Sequence, residues 1–439
     1  MSGGHPLLGH TIDFLRDPVA VVDRGHRECG EVFALKLGTR TAVVLLGPDS
    51  SRFFFAETDG LLSIRTGMPF FPRMFDPDFY LFADAEEYRR QRDIVLPRFQ
   101  GRQMEQYVEI MDRQVGDLAR DLEGSGEFDL VDTLGPLVMR IAADAFLGTA
   151  FAQRLGGGFF AEFRRFSAGM DPVAPPWLPL PHLIRSRRAR DRLRILLGGL
   201  LDERRRAPLD PPDFLQLLTQ ARFPDGTAVP ELVRINLVLM LTWAGHETTT
   251  GHLAWALIDL LRHPDELRRL RDEQRSVLGG DDQLTMAKIH QMKHLDRALH
   301  ETERLHPVAF MLSRTATQNF EYQGHHIPRG TMVIISPAVT HRLPRAFPDP
   351  DRYRPDRFVE DPRAMRDLIG FGGGSHRCLG VHFAYLEMAV VLTRMLQWFD
   401  FDLQVHDPQP VAGAKTKWPA SPCIVRYRRR VPQPAGELT

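Results

Sequence analysis

Apolar residues recur at helical spacing through most of this chain and alternate only in short stretches near its two ends. Glu31 to Leu37 and Thr41 to Leu46 are strand-like runs around Gly38-Thr39-Arg40, a hairpin signal closed by Gly47-Pro48. Gln103 to Leu122 and Leu130 to Leu147 follow the helical period and are separated by the turn Glu123-Gly-Ser-Gly126. Asp171 to Pro181 holds too many prolines for a helix or a central strand, and a basic amphipathic run, Arg185 to Arg206, follows it as a solvated helix face. Pro230 to Arg262 is a long helix that starts on proline and stops before His263-Pro264. Gln318 to Pro337 alternates around Gly324 and Gly330, and Leu379 to Trp398 closes the pattern as an apolar helix. The order predicted is a small early sheet, a large helical body and a late sheet.

Composition narrows the classes. A chain of 439 residues with 43% hydrophobic residues buries a large core, and 56 basic against 56 acidic residues leave no field that favours nucleic acid. Cys29, Cys378 and Cys423 are odd in number and far apart, which excludes a disulfide framework, a CxxC zinc site and a four-cysteine iron–sulfur cluster. No basic-then-apolar leader and no apolar run of about 20 residues is present. A reducing cytoplasm and no membrane anchor are expected.

Candidate chemistry concentrates in three places. Phe371-Gly-Gly-Gly-Ser-His-Arg-Cys-Leu-Gly380 sets one cysteine in a glycine-rich loop at the start of an apolar helix. A thiol must lose its proton to bind iron, and a helix N-terminus supplies N–H donors and positive potential. Glycines 372, 373, 374 and 380 let the backbone approach a flat macrocycle. Cys378 is therefore a candidate haem-iron ligand. In the long helix, Ala244-Gly-His-Glu-Thr-Thr-Thr250 interrupts the apolar run Ile235 to Trp243 with residues poorly suited to a buried helix centre. Thr248 is expected to turn its hydroxyl to the carbonyl of Ala244, and Gly245 to remove bulk, so that the helix bulges. An acid beside an alcohol passes protons inward, which makes Glu247 and Thr248 candidates for that work. His246-Glu247 begins like a HExxH zinc site, but position 250 is threonine and His252 faces elsewhere. Finally, Glu301 and Arg304 share a helix face, and Arg357 is placed to join them.

Taken together, these motifs resemble the cytochrome P-450 superfamily, from about Pro6 to about Val425. The loop matches its Phe-Gly-x-Gly-x-(His/Arg)-x-Cys-x-Gly form at every fixed position, and thiolate ligation is that family's. The resemblance implies a mainly α, single cytochrome P-450 domain over 1–439 with short flexible ends at about 1–5 and 428–439. It implies haem b as cofactor, dioxygen as co-substrate, and electrons from a separate ferredoxin or flavodoxin docking beside Arg89, Arg90, Arg98 and Arg377. Glu247 and Thr248 match the family's acid–alcohol proton relay. Glu301, Arg304 and Arg357 match its buried network, which is expected to fix the cysteine loop. Arg92, Arg314 and His376 are the partners for the haem propionates, with Tyr88 where Trp or His is common. Phe371, Ala244, Gly245, Gly372 and Gly380 line the cofactor.

Within the family, Phe320 to Pro328 and Ser336 to Arg342 resemble the sterol 14α-demethylase branch. Two positions depart from it: Glu247 stands where the branch has histidine, and Met68 where it has tyrosine. The expectation is a bacterial monooxygenase of specialised metabolism adapted to another bulky apolar molecule, a terpenoid, sterol-like compound or polyketide. Sterol 14α-demethylation, a haem sensor or carrier, and a peroxide-dependent haem enzyme are the alternatives. By analogy, the substrate walls are Met68, Phe70, Phe71, Met74 and Phe75, then Met240, then Val308, Phe310, Met311 and Leu312. The resemblance implies that the proline-rich segment is the mobile connection over the substrate entrance, with an interdomain linker as the alternative.

Overall fold

The computed structural model describes residues 1–430 apart from 69, 77–78, 153–156, 171–178, 211, 281–282 and 414. The connection expected over the substrate entrance lies outside the described residues through position 178.

After two helices, Thr11–Arg16 and Pro18–Cys29, comes a hairpin, β1 (Val32–Leu37) and β2 (Arg40–Leu45), turned at Gly38, whose φ of 60° is open to glycine at no steric cost. Next come α1 (Gly47–Ala56), the short β3 (Leu62–Ser63), α2 (Ala85–Val95) and α3 (Arg102–Asp121). Then β4 (Ser125–Asp129) leads into α4 (Leu130–Leu147), with the Asp129 side chain accepting from the N–H groups of Val131 and Asp132. The central helices are α5 (Gly157–Ser167), α6 (Pro181–Arg206), α7 (Glu231–Arg262) and α8 (Lys293–Leu305). After them run β5 (Leu312–Ala316), β6 (Phe320–Tyr322), β7 (His325–Ile327) and β8 (Met332–Ile335), then α9 (Val381–Trp398), β9 (Phe399–Leu403) and β10 (Ile424–Arg429).

Two features differ from the local pattern. The early hairpin shares one sheet with β8 and β5 of the late strands, in the order β1-β2-β8-β5-β3, with β2 and β8 parallel from Ala42 opposite Met332 to Leu45 opposite Ile335, while β6 and β7 pair as a separate ribbon. The stretch read as a turn at Glu123 to Gly126 instead opens β4, which pairs antiparallel with β10 beside β9. At the predicted flexible ends, Ser2 N–H donates to Glu28 at 2.8 Å, while Arg428 and Arg429 lie in β10.

The main apolar cluster is helical. In α7, Leu237, Val238, Leu239, Leu253, Ala254 and Ile258 are buried against the likewise buried Leu134, Leu137, Val138 and Ile141 of α4. Each such Leu, Val or Ile side chain contributes about 1.5–3 kcal/mol by leaving water. Trp255 is buried as well and satisfies its indole N–H on the Lys417 carbonyl at 2.7 Å. Outward positions on α6, such as Arg187 and Arg188, are exposed, whereas Leu193, Leu197 and Leu201 are buried.

Candidate functional site

The cysteine loop lies between Ile369 and the start of α9. Gly372 and Gly374 hold φ of 73° and 64°, and a Cβ at Gly373 would fall 2.6 Å from the Phe55 ring, so side chains are excluded here by both conformation and space. The Cys378 N–H donates to the Phe371 carbonyl at 2.9 Å, which fixes the cysteine backbone. Cys378 is accessible, yet protein surrounds it closely enough for burial to push its thiol pKa up. It therefore faces a recess inside the molecule. The Gly380 N–H and Arg377 act in the opposite direction. Desolvation wins over the helix terminus that the sequence led us to expect would acidify the thiol, and a coordinating metal would displace the proton outright.

Beside this loop the charged candidates gather. Arg314, on β5, is buried with its guanidinium 4.8 Å from the centre of the Phe54 ring, and burial lowers its pKa to about 10. His376 stacks on Tyr88 at 4.1 Å and meets the Asp59 carboxylate through Nε2 at 2.7 Å. Its Nδ1 is buried with no partner among the described residues. Arg92 donates to the Tyr88 hydroxyl at 3.2 Å and to the Ser375 carbonyl at 3.1 Å, and Tyr88 donates to the same carbonyl at 3.0 Å. Two arginines and an unpartnered imidazole nitrogen next to a recessed thiol fit a macrocycle with an iron centre and an acidic edge.

In α7 the Thr248 hydroxyl donates to the Ala244 carbonyl at 2.7 Å, as the spacing predicted. The helix nevertheless stays α from Glu231 to Arg262, without the expected bulge. Thr242 and Thr250 bond back in the same way, to Val238 and His246. Ala244 is exposed although Leu241 and Thr242 before it and Thr249 and Thr250 after it are buried, so this face also opens on space. Burial raises the Glu247 pKa, opposed by the hydroxyls of Ser167 and Thr416 and by Arg164. His246 is held neutral by burial, with its pKa near 4, and lies edge-on to Phe160.

Glu301, Arg304 and Arg357 form the anticipated buried network. Arg304 donates to both Glu301 oxygens at 2.9 and 2.8 Å, and Arg357 Nε to the same pair at 3.0 and 2.9 Å. The remaining guanidinium N–H groups reach the carbonyls of His341, Pro348, Asp349, Pro350 and Arg352. The network thus ties down residues 341–357 rather than the cysteine loop itself. Among the described residues it extends to the loop through His341, whose Nδ1 donates to the Arg304 carbonyl while Nε2 accepts from the Ile369 N–H at 3.0 Å. Besides Tyr88, Arg92 and Asp59, which reach Ser375 and His376, the start of the loop is held by Glu303, between the two motif positions, and sequence reasoning missed it. The model for cytochrome P450 matches residues 1–422.

The chain belongs to the cytochrome P450 family. It is 32% identical to the sterol 14α-demethylase of Mycobacterium tuberculosis over 98% of each chain, and 29% identical to the sterol 14-demethylase of Arabidopsis thaliana over 97% of this chain and 90% of that one. Among solved structures it is similar to retinoic acid bound cyanobacterial CYP120A1, with a TM-score of 0.86, 27% identity, and 97% and 98% of the two chains covered. The family binds haem b through a cysteine thiolate, uses dioxygen and takes electrons from a redox partner.

In this P450 the candidate walls fall into two groups. Phe71 stacks on Phe70 at 4.7 Å and meets Trp243 of α7 at 5.7 Å, and Phe75 meets both Trp243 and Phe166 of α5. Met240 and Met74 are buried in the same cluster, while Met68 is half-buried at the end of a single helical turn. Phe310 carries the Lys417 ammonium 4.9 Å above its ring, Val308 packs against Gly251, and Met311 and Leu312 pack on clusters beside the large sheet. Of the basic patch, Arg89 and Arg377 are exposed and Arg98 is half-buried. Arg90 is turned away to Glu87 at 3.0 Å and Asp225 at 2.7 Å. No helix among the described residues is long and apolar enough to cross a membrane.

Proposed function

We propose that this P450 inserts one oxygen atom from dioxygen into a bulky apolar small molecule of terpenoid, sterol-like or polyketide class, with Cys378 as the thiolate that would hold the haem iron. The carrying observation is a cysteine that is accessible yet enclosed, with its N–H fixed on Phe371. When bound, haem supplies oxygen activation and oxygen-atom transfer. Arg314, Arg92 and His376 would hold the haem propionates, and Tyr88 aligns the His376 ring by stacking. Burial raises the Glu247 pKa, which favours a proton on its carboxyl. Thr248 offers the hydroxyl that passes the proton inward, its oxygen lone pairs remaining free to accept while its hydrogen rests on Ala244. Phe71, Phe75, Phe166 and Trp243 exclude water on the substrate side.

Electrons come from a separate ferredoxin or flavodoxin that docks beside the cysteine loop on Arg89, Arg98 and Arg377, in the cytoplasm. The test is turnover of the purified protein with a surrogate ferredoxin and its reductase under isotopically labelled dioxygen. Substrates are chosen by binding spectra across terpenes, macrolides and sterols, the last because the mycobacterial relatives are sterol 14α-demethylases. One labelled oxygen in the product is expected. Label absent from every product would refute the reading.

A further inference from the structure

Glu303 sits between Thr302 and Arg304 on α8, in a motif whose outer residues account for a different contact set. It is only 4% exposed, and four groups surround its carboxylate. The Tyr385 hydroxyl of α9 donates to Oε2. The backbone N–H groups of Gly370 and Phe371 donate to the same carboxylate, and the Arg377 guanidinium lies close enough to stabilise its charge. Gly370 is needed for this approach, since a Cβ there would fall 2.6 Å from Glu303 Oε1. Phe371 in turn accepts the Cys378 N–H at 2.9 Å. A continuous chain of contacts thus runs from the Glu303 carboxylate through Phe371 to the cysteine backbone. Glu303 and Cys378 also repel electrostatically, each charge opposing the other.

We propose that Glu303 is a positioning residue of the cysteine loop, and that its carboxylate, clamped to Gly370, Phe371 and Tyr385, tunes the donor strength of the Cys378 sulfur and hence the reduction potential of the haem P450. The inference rests on the ligand role of Cys378 given above. An anion behind the thiolate opposes arrival of an electron, so ionised Glu303 lowers the potential and protonated Glu303 raises it. Burial raises the Glu303 pKa to about 7 despite the Tyr385 hydroxyl, the two N–H groups and Arg377. The other titratable groups facing it are shifted away from neutrality. Tyr385 is held well above its ordinary value by burial, and His300, stacked on Tyr385 at 4.4 Å and flanked by Asp296 and Arg377, is held below its own.

The experiment is spectroelectrochemical titration of the haem-loaded protein from pH 5.5 to 8.5, for the parent, E303Q and Y385F. The parent potential should fall as pH rises through neutrality. E303Q should show a higher potential at alkaline pH and lose that step. Y385F, which keeps the acid but removes a donor to its charged form, should shift the step to higher pH. Potentials of E303Q and Y385F that track the parent at every pH, with the thiolate-type carbon monoxide spectrum intact, would overturn the inference. If E303Q does not retain haem, an unmoved step in Y385F overturns it alone. Loss of the thiolate-type spectrum in the parent would instead refute the ligand assignment, and the inference with it.

Discussion

Replacing Arg304 with leucine tests how much the buried network stabilises the P450. On an exposed helix a Glu–Arg pair three residues apart contributes about 0.2–0.5 kcal/mol. Here both side chains are 0% exposed, and Arg304 donates five hydrogen bonds, two to Glu301 and one each to His341, Pro350 and Arg352. In R304L, Glu301 keeps Arg357 and the Arg354 N–H, and the Arg352 carbonyl keeps Arg357. The His341 and Pro350 carbonyls each lose a charged donor at about 1–3 kcal/mol, and breaking a buried pair costs about 3–5 kcal/mol in all. Against a total stability of about 5–15 kcal/mol this is a large fraction. With a urea slope of about 2 kcal/mol per M, the unfolding midpoint should fall by ~2 M. Far-UV circular dichroism of haem-loaded R304L, R304K and parent protein in urea measures it. A midpoint for R304L within about 0.3 M of the parent would mean that the pair behaves as a surface pair, and would refute the reasoning.

Three further outcomes follow from the site. T248A removes the hydroxyl bonded to Ala244, so reductant consumption should separate from product formation; an unchanged ratio of product to reductant would refute the relay. R314L removes a buried cation, and at about 1.5–3 kcal/mol for a charge-assisted bond, haem should transfer to apomyoglobin roughly 10- to 100-fold faster; equal transfer rates would remove Arg314 from the propionate set. His252 is buried with both ring nitrogens unpartnered among the described residues, and burial lowers its pKa to about 3. The unfolded ring binds a proton below about pH 6.5 while the folded ring stays neutral, so this stability is complete above that pH and is lost on acidification by up to about 1.4 kcal/mol per unit. From pH 7 to pH 5, H252L should therefore lose about 2 kcal/mol less than the parent in urea unfolding; equal losses would contradict the assignment.

What the sequence made legible was what local chemistry dictates. Thr248 bonds to Ala244 because the turn of a helix puts that carbonyl within reach, and Glu301 meets Arg304 because they share a face. The long helix ends at Arg262, before His263-Pro264, for reasons visible in four residues. Pairing between distant segments was not legible. Nothing near Ala42 names Met332 as its neighbour, so one sheet read as two. Glu303 was hidden for the opposite reason: a charged residue in a helix reads as a solvated face, and only the position of Gly370 against it reveals a buried acid. The network of Arg304 was identified correctly but aimed at the wrong segment, because a motif names its members and not the carbonyls they reach.

The central claim is that the Cys378 sulfur ligates the haem iron. The reduced, carbon monoxide-bound spectrum of purified parent and C378H protein tests it most directly. The account predicts a thiolate-type band in the parent that disappears in C378H. A parent without that band, or a C378H protein that keeps it, would contradict the account.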